Sequence, residues 1–177
     1  VILGDGSGNV GIGTASPLAN LDVAHATDPR IRITRADATV LIDESLGTLQ
    51  FATNDPSAGA VGASVQALAG GTWATNDYPT DLRFLVTPDN SGDQAEAMRI
   101  DSTGNVGIGQ TTPASPNGVP SPFLHIGDGT NAAVGLVLQE NHKTYEIHAN
   151  DGLYFSDSTT HRLVIDTAGN VGIGTDS

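Results

Sequence analysis

The sequence predicts an all-β fold built from short meanders and hairpins that need other copies of the chain to complete their core. Three observations predict it. The hexapeptide Gly-Asn-Val-Gly-Ile-Gly occurs three times in 177 residues, apolar and polar residues alternate in short runs between the copies, and aromatic residues are only 5% against 22 glycines and 9 prolines. So few bulky rings leave little to fill a single-chain core. The aliphatic runs are nevertheless too frequent for a disordered chain. No window repeats apolar residues at three and four, and Gly or Pro interrupts almost everywhere, so no helix is expected.

The repeat organises the chain. Its first copy contains Gly8, Asn9, Gly11 and Gly13, the second Gly104, Asn105, Gly107 and Gly109, and the third Gly169, Asn170, Gly172 and Gly174. Met98-Arg99-Ile100-Asp101-Ser102-Thr103 precedes the second copy, and Leu163-Val164-Ile165-Asp166-Thr167-Ala168 the third. The alternation of Met98 and Ile100 with Arg99 and Asp101 is the period-two pattern of a half-buried strand. The Gly-Asn pair then supplies a turn, since both residues tolerate positive φ. In the return strand Val106 and Ile108 share one face while Gly107 and Gly109 leave the other bare. Glycine persists inside a strand where another backbone comes close, so these positions point to tight packing against a neighbouring chain or layer.

The segments between copies read as strands too. Arg30-Ile31-Arg32-Ile33-Thr34 and Ala38-Thr39-Val40-Leu41-Ile42 form an expected pair, with Leu46-Gly47-Thr48-Leu49-Gln50-Phe51 as a third strand. Val134-Gly135-Leu136-Val137-Leu138, Thr144-Tyr145-Glu146-Ile147-His148 and Leu153-Tyr154-Phe155-Ser156 repeat that order. The first half carries an apparent insertion over about residues 55–94, with strand-like stretches starting at Val61 and Asp81. The resulting division is 1–20 as the end of a preceding repeat unit, 21–110 as a β-repeat unit with the insertion, 111–123 as a Pro-rich spacer, and 124–177 as a second β-repeat unit.

Charge restricts the partners. There are 20 Asp and Glu against 7 Lys and Arg, and the basic residues are scattered. Nucleic-acid binding needs clustered cations, and an anionic membrane surface repels this chain. No apolar run reaches the length of a membrane span. With no cysteine, disulfides are absent.

Several apparent sites have plainer explanations. Gly6-Ser7-Gly8-Asn9-Val10-Gly11 fits a dinucleotide fingerprint, but a strand rather than a helix follows it. Asp5, Ser7 and Asn9 resemble part of a calcium loop that lacks its closing glutamate. His25, His125, His142, His148 and His161 show no metal-ligand spacing, and Asp43 with Glu44 or Glu140 with Glu146 read as solvated strand-end acids. The expectation is therefore no catalytic residue, no metal, no cofactor and no enzymatic activity. Loops on rigid scaffolds carry contacts, and the loop with Trp73, Asn76 and Tyr78 combines ring faces with an amide, a set suited to a carbohydrate or other receptor. The competing explanation is that Trp73, the single tryptophan, plugs an interface between chains.

Gly-Asn-Val-Gly-Ile-Gly-Thr, preceded by Met98-Arg99-Ile100-Asp101 and followed by a proline (Pro17, Pro113) and a Leu-x-Val or Leu-x-Ile strand (Leu21 to Val23, Leu124 to Ile126), resembles the shaft repeats of phage tail fibres and tail spikes. Similar units occur in bacterial surface proteins. The resemblance implies an elongated, intertwined homotrimeric fibre, a structural part of a virion tail outside the cell, that contributes to host attachment. Its implied partners are two further copies of itself, other virion tail proteins, and a host cell-surface glycan or protein. A bacterial trimeric adhesin module and a polysaccharide depolymerase segment are the alternatives. Gln110 departs from the pattern, standing where Thr14 and Thr175 stand in the other copies.

Overall fold

The structure, a computed structural model, describes residues 2–3, 8–55, 61–114, 122–127, 134–140, 143–149, 152–157 and 160–174. The described residues are all-β and contain no helix. The chain divides into two compact units, Val1–Ala36 and Asp37–Ser177.

The first unit holds a small sheet of β1 (Ile2–Leu3), β2 (Val10–Ile12) and β3 (Leu21–Val23). The second holds two sheets. One is the six-stranded run β4 (Ser45–Ala52), β5 (Val61–Ala69), β6 (Thr80–Val86), β7 (Ala95–Ile100), β8 (Val106–Ile108) and β9 (Leu124–Ile126). The other is the five-stranded run β10 (Val134–Glu140), β11 (Lys143–Ala149), β12 (Gly152–Asp157), β13 (Thr160–Asp166) and β14 (Val171–Ile173). In both sheets each strand pairs with the next in sequence; β4 to β8 and β10 to β14 are meanders of antiparallel hairpins, and β9 adds to β8 in parallel.

The two stretches taken as an insertion are β5 and β6, which lie in the middle of the six-stranded sheet. The four strands β4 to β7 followed by the repeat strand β8 thus match β10 to β13 followed by β14. The expected strands at residues 30–34 and 38–42 do not form; those residues have no ladder partner among the described residues. Their alternation is real, with Ile31 and Ile33 exposed. A strand, however, is defined by a ladder of hydrogen bonds to a neighbour, and the single bond from the Trp73 N–H to the Val40 carbonyl does not make one.

The repeat strand has two different neighbours. It is antiparallel to the strand before it, with Met98 opposite Ile108 and Ile100 opposite Val106. It is parallel to the strand after it, with Val10 opposite Leu21 and Ile12 opposite Val23, and Val106 opposite Leu124 and Ile108 opposite Ile126. Parallel neighbours need a crossover connection. Residues 13–20 suffice for the first because each strand is only three residues long.

Alternation sorts each sheet into two faces. Across the six-stranded sheet, Leu49, Val65, Phe84, Met98, Ile108 and Ile126 form one continuous cross-strand row. Leu136, Ile147, Phe155, Leu163 and Ile173 form the matching row in the five-stranded sheet. Among the described residues neither row is fully buried. Phe51 is 56% exposed, Leu49 56% and Phe84 36%. Among the described residues the buried hydrophobics are Val40, Leu68, Ala69 and Val164.

Candidate functional site

The repeat turn is the most regular local structure. Asp101 and Asn105 flank a three-residue loop: the Asp101 N–H donates to the Asn105 carbonyl at 2.9 Å, and the Gly104 N–H to the Asp101 carbonyl at 2.9 Å. Gly104 lies at φ 88°, so a left-handed glycine closes this three-residue hairpin loop. The third copy is built alike, with Asp166 donating to Asn170 at 3.0 Å and Gly169 at φ 85°. Gly8 shares the positive φ, as do the hexapeptide's last glycines, Gly13, Gly109 and Gly174.

The asparagines do not share it, contrary to the expectation that both turn residues would. They act through their side chains instead. Asn105 is buried; its amide donates to the Asp101 carboxylate at 2.9 Å and to Thr103 Oγ1 at 2.8 Å, while its Oδ1 accepts the Phe123 N–H at 3.3 Å. Asn170 donates to Asp166 at 2.8 Å, and in the first copy Asn9 Oδ1 accepts from Asn20 at 3.3 Å. Partial burial pushes the Asp101 pKa up, but hydrogen bonds from Thr103 and Asn105 outweigh it and hold the carboxyl below its usual range. At Asp166 the Asn170 amide lowers the pKa.

The middle glycines face their own chain. A Cβ on Gly11 would overlap the Thr14 carbonyl, and one on Gly107 the Gln110 carbonyl. The close approach is made by the crossover that leads to the parallel strand, an intrachain neighbour rather than a second polypeptide. Gln110 also performs the role of Thr14. Thr14 Oγ1 accepts the Ser16 N–H at 3.2 Å, and Gln110 Oε1 accepts the Thr112 N–H at 3.0 Å. Both crossovers then bury their proline, Pro17 and Pro113.

The face opposite the apolar row of the six-stranded sheet carries an ion network. Arg99 donates to Glu96 at 2.8 and 2.9 Å and to Asp81 at 2.7 Å; Arg83 donates to Glu96 at 3.3 Å and to Gln66. Arg83 and Arg99 stand directly opposite each other, which is unfavourable for like charges. Glu96 bridges them because the register shifts between Phe84 and Leu85. A bulge of this kind re-aims a side chain, bringing Glu96 to the arginine face. Asp81 also accepts the Ser102 N–H at 2.8 Å, tying β6 to the repeat turn. The hydrogen bond to Glu96 raises the Arg99 pKa further above its ordinary value, against the opposing effect of burial.

The loop at residues 70–79 is held by bonds within it and by one to Val40. The Trp73 N–H donates to the Val40 carbonyl at 3.0 Å, and Trp73 Nε1 to the Pro79 carbonyl at 3.1 Å. Ala74 and Asp77 form a bridge around Asn76, which takes φ 61°. Trp73 and Tyr78 pack edge to face with centroids 5.3 Å apart, and Tyr78 is 60% exposed. Trp73 is half-buried with its polar edge engaged, and Asn76 has a turn to make. What the loop offers outward is therefore Tyr78 against a tryptophan ring.

Glu44 accepts the Leu41 N–H at 2.8 Å. The side chains of Glu140, Glu146 and His148 lie outside the described residues, as do Asp5, Gly6, Ser7, His142, Pro116, Pro120 and Thr175. Among the described residues no group of three or more His, Cys, Asp or Glu is placed to hold a metal ion.

No protein-family model and no curated protein matches the chain. Among the solved structures similar to it are two of one tail fibre. The first is the carboxy-terminal domain of the bacteriophage T5 L-shaped tail fibre with its intra-molecular chaperone domain. It is 12% identical, with a TM-score of 0.48, over 88% of this chain and 62% of that one. The second, of the carboxy-terminal domain of the same fibre, is 13% identical with a TM-score of 0.45, over 86% of this chain and 88% of that one. The chain thus spans less than two thirds of the first structure's length.

Proposed function

We propose that this chain is a structural segment of a homotrimeric phage tail fibre or tail spike and has no enzymatic activity of its own. The observation that carries the self-assembly is the pair of uncovered apolar rows, Leu49 to Ile126 and Leu136 to Ile173. Burying such a row is worth about 25 cal/mol per Å². The repeat motif's resemblance to tail-fibre shafts supplies the number three and the virion setting. Closed symmetry gives every copy the same environment. The fibre's work would be reach and multivalent attachment, in which several weak contacts act together.

Mass measurement under native conditions tests the assembly. A species of about three times the 18.1 kDa chain mass is expected, and a folded single chain would overturn the reading.

A second reading concerns host contact through the loop of residues 70–79, favoured by the exposed Tyr78 ring against Trp73. Tyr78→Ala leaves the Trp73 hydrogen bonds in place, so it should weaken binding to a host-surface glycan array without altering the assembly. Equal binding by both proteins would remove the loop from the receptor site.

A further inference from the structure

We infer that residues 28–36 are a processing site for an endopeptidase that cuts after arginine, with Arg30–Ile31 and Arg32–Ile33 as the bonds taken. An endopeptidase draws its substrate into an extended strand beside its own backbone, so it needs several consecutive exposed residues that owe no ladder bonds. This segment meets each condition. Residues 28–37 form neither strand, turn nor bend. Every residue from His25 to Thr34 is exposed, with Ile31 at 72% and Ile33 at 59%. Arg30 marks the extended path, since its Nε donates to Asp28 Oδ2 at 2.6 Å and residues two apart share one side of an extended chain. Both members of that pair stay largely in solvent. An ion pair so exposed holds an arginine only weakly against the carboxylate of an arginine-specific pocket.

Basic residues beyond the segment are withheld. Arg83 and Arg99 lie in β6 and β7, each paired on both sides, and their side chains are 21% and 14% exposed in ion pairs. Lys143 and Arg162 lie within β11 and β13. Cutting at any of these requires a strand to leave its sheet, whereas cutting at Arg30 or Arg32 requires no opening. In the cut, water adds across the amide; the arginine carbonyl becomes a carboxylate and the isoleucine nitrogen an ammonium. Both bonds precede Asp37, so the unit Asp37–Ser177 stays in one piece. The apolar rows of the proposed assembly lie in other strands, so the inference does not depend on the fibre reading.

The test is a time course of the full chain with dilute trypsin in native buffer, the fragments being identified by mass. Cleavage after Arg30 and Arg32 should run at least about tenfold faster than after Arg83, Arg99, Lys143 or Arg162. Arg30→Gln combined with Arg32→Gln should slow the appearance of any fragment that holds all of residues 37–177 by at least about tenfold. First cuts within the strands, or a double variant divided as fast as the unmodified chain, would overturn the inference. So would a folded chain that resists at both bonds while its urea-unfolded form is cut there, because the segment would then be covered.

Discussion

The six-stranded and five-stranded sheets solve one face in the same way and the other in opposite ways. Met98 corresponds to Leu163, Ile100 to Ile165, Val106 to Val171 and Ile108 to Ile173, each opposite the equivalent partner. On the reverse face Arg99 lies opposite Gly107, and at the same place Val164 lies opposite Gly172. Arg83, paired with Arg99, corresponds to Tyr154, paired with Val164. Where one sheet has a network of two arginines and two acids, the other has a buried valine and a tyrosine ring 4.6 Å from His161. A buried ion network and an apolar cluster of similar volume are of comparable stability when each is complete. The reverse face is therefore free to vary, whereas the exposed apolar face keeps its chemistry in both sheets. A constraint shared by a face left exposed among the described residues is what a partner outside the chain would impose.

The largest effect should come from that face. Phe84→Asp combined with Leu49→Asp places two carboxylates where the row must be desolvated, and native mass should move from the assembly to the single chain. An unchanged mass would assign the assembly to other surfaces.

On the reverse face, Arg99→Val installs the residue that the other sheet uses, yet it leaves Asp81 and Glu96 buried without their shared cation. A loss of about 3–5 kcal/mol in chemical denaturation is expected, larger than the loss of about 2 kcal/mol from Val164→Ala. Adding Asp81→Asn and Glu96→Gln should recover part of the Arg99→Val loss; no recovery would mean that packing, not charge, decides the site.

The turns extend the comparison. Asp101→Ala strips the buried Asn105 amide of one acceptor and should cost about 1–3 kcal/mol. Asp166→Ala, in an exposed turn where Ala168 replaces Thr103, should cost less in the same melt. Equal losses would show that tertiary cover adds nothing to the turn.

The smallest effect is in pH. Both carboxyls titrate lower in the fold than in an unfolded chain, where an Asp has a pKa of about 3.9. Their contribution is complete above that pH and disappears as pH falls through the folded values. Asp101→Asn should flatten the decline of melting temperature below about pH 4; an unaltered slope would assign the acid sensitivity elsewhere.

Much of this was legible in the sequence. The period-two runs at 46–51, 61–67 and 81–86 announce strands, and Asp-x-x-Gly-Asn announces a hairpin with a left-handed glycine. These are local properties, fixed by which side chains a pleat can bury and which backbone angles a residue tolerates. The candidate loop was visible as an aromatic cluster. That Trp73 Nε1 is engaged by Pro79 and that Asn76 serves a turn depends on loop geometry, which composition does not carry. The Glu96 bridge was hidden because a bulge breaks the alternation that assigns faces.

By itself the sequence determined that the chain is β throughout, where its turns fall, and that one face of each meander is apolar. Only the tertiary structure decided which strands meet. Residues 30–34 alternate as well as any strand here but find no ladder, while the apparent insertion supplies the middle of a sheet. The same holds for Gly11 and Gly107, whose bare faces are met by their own crossover. Alternation specifies which way a side chain points; hydrogen-bond partners are chosen by the path of the backbone, and that path is a property of the whole chain.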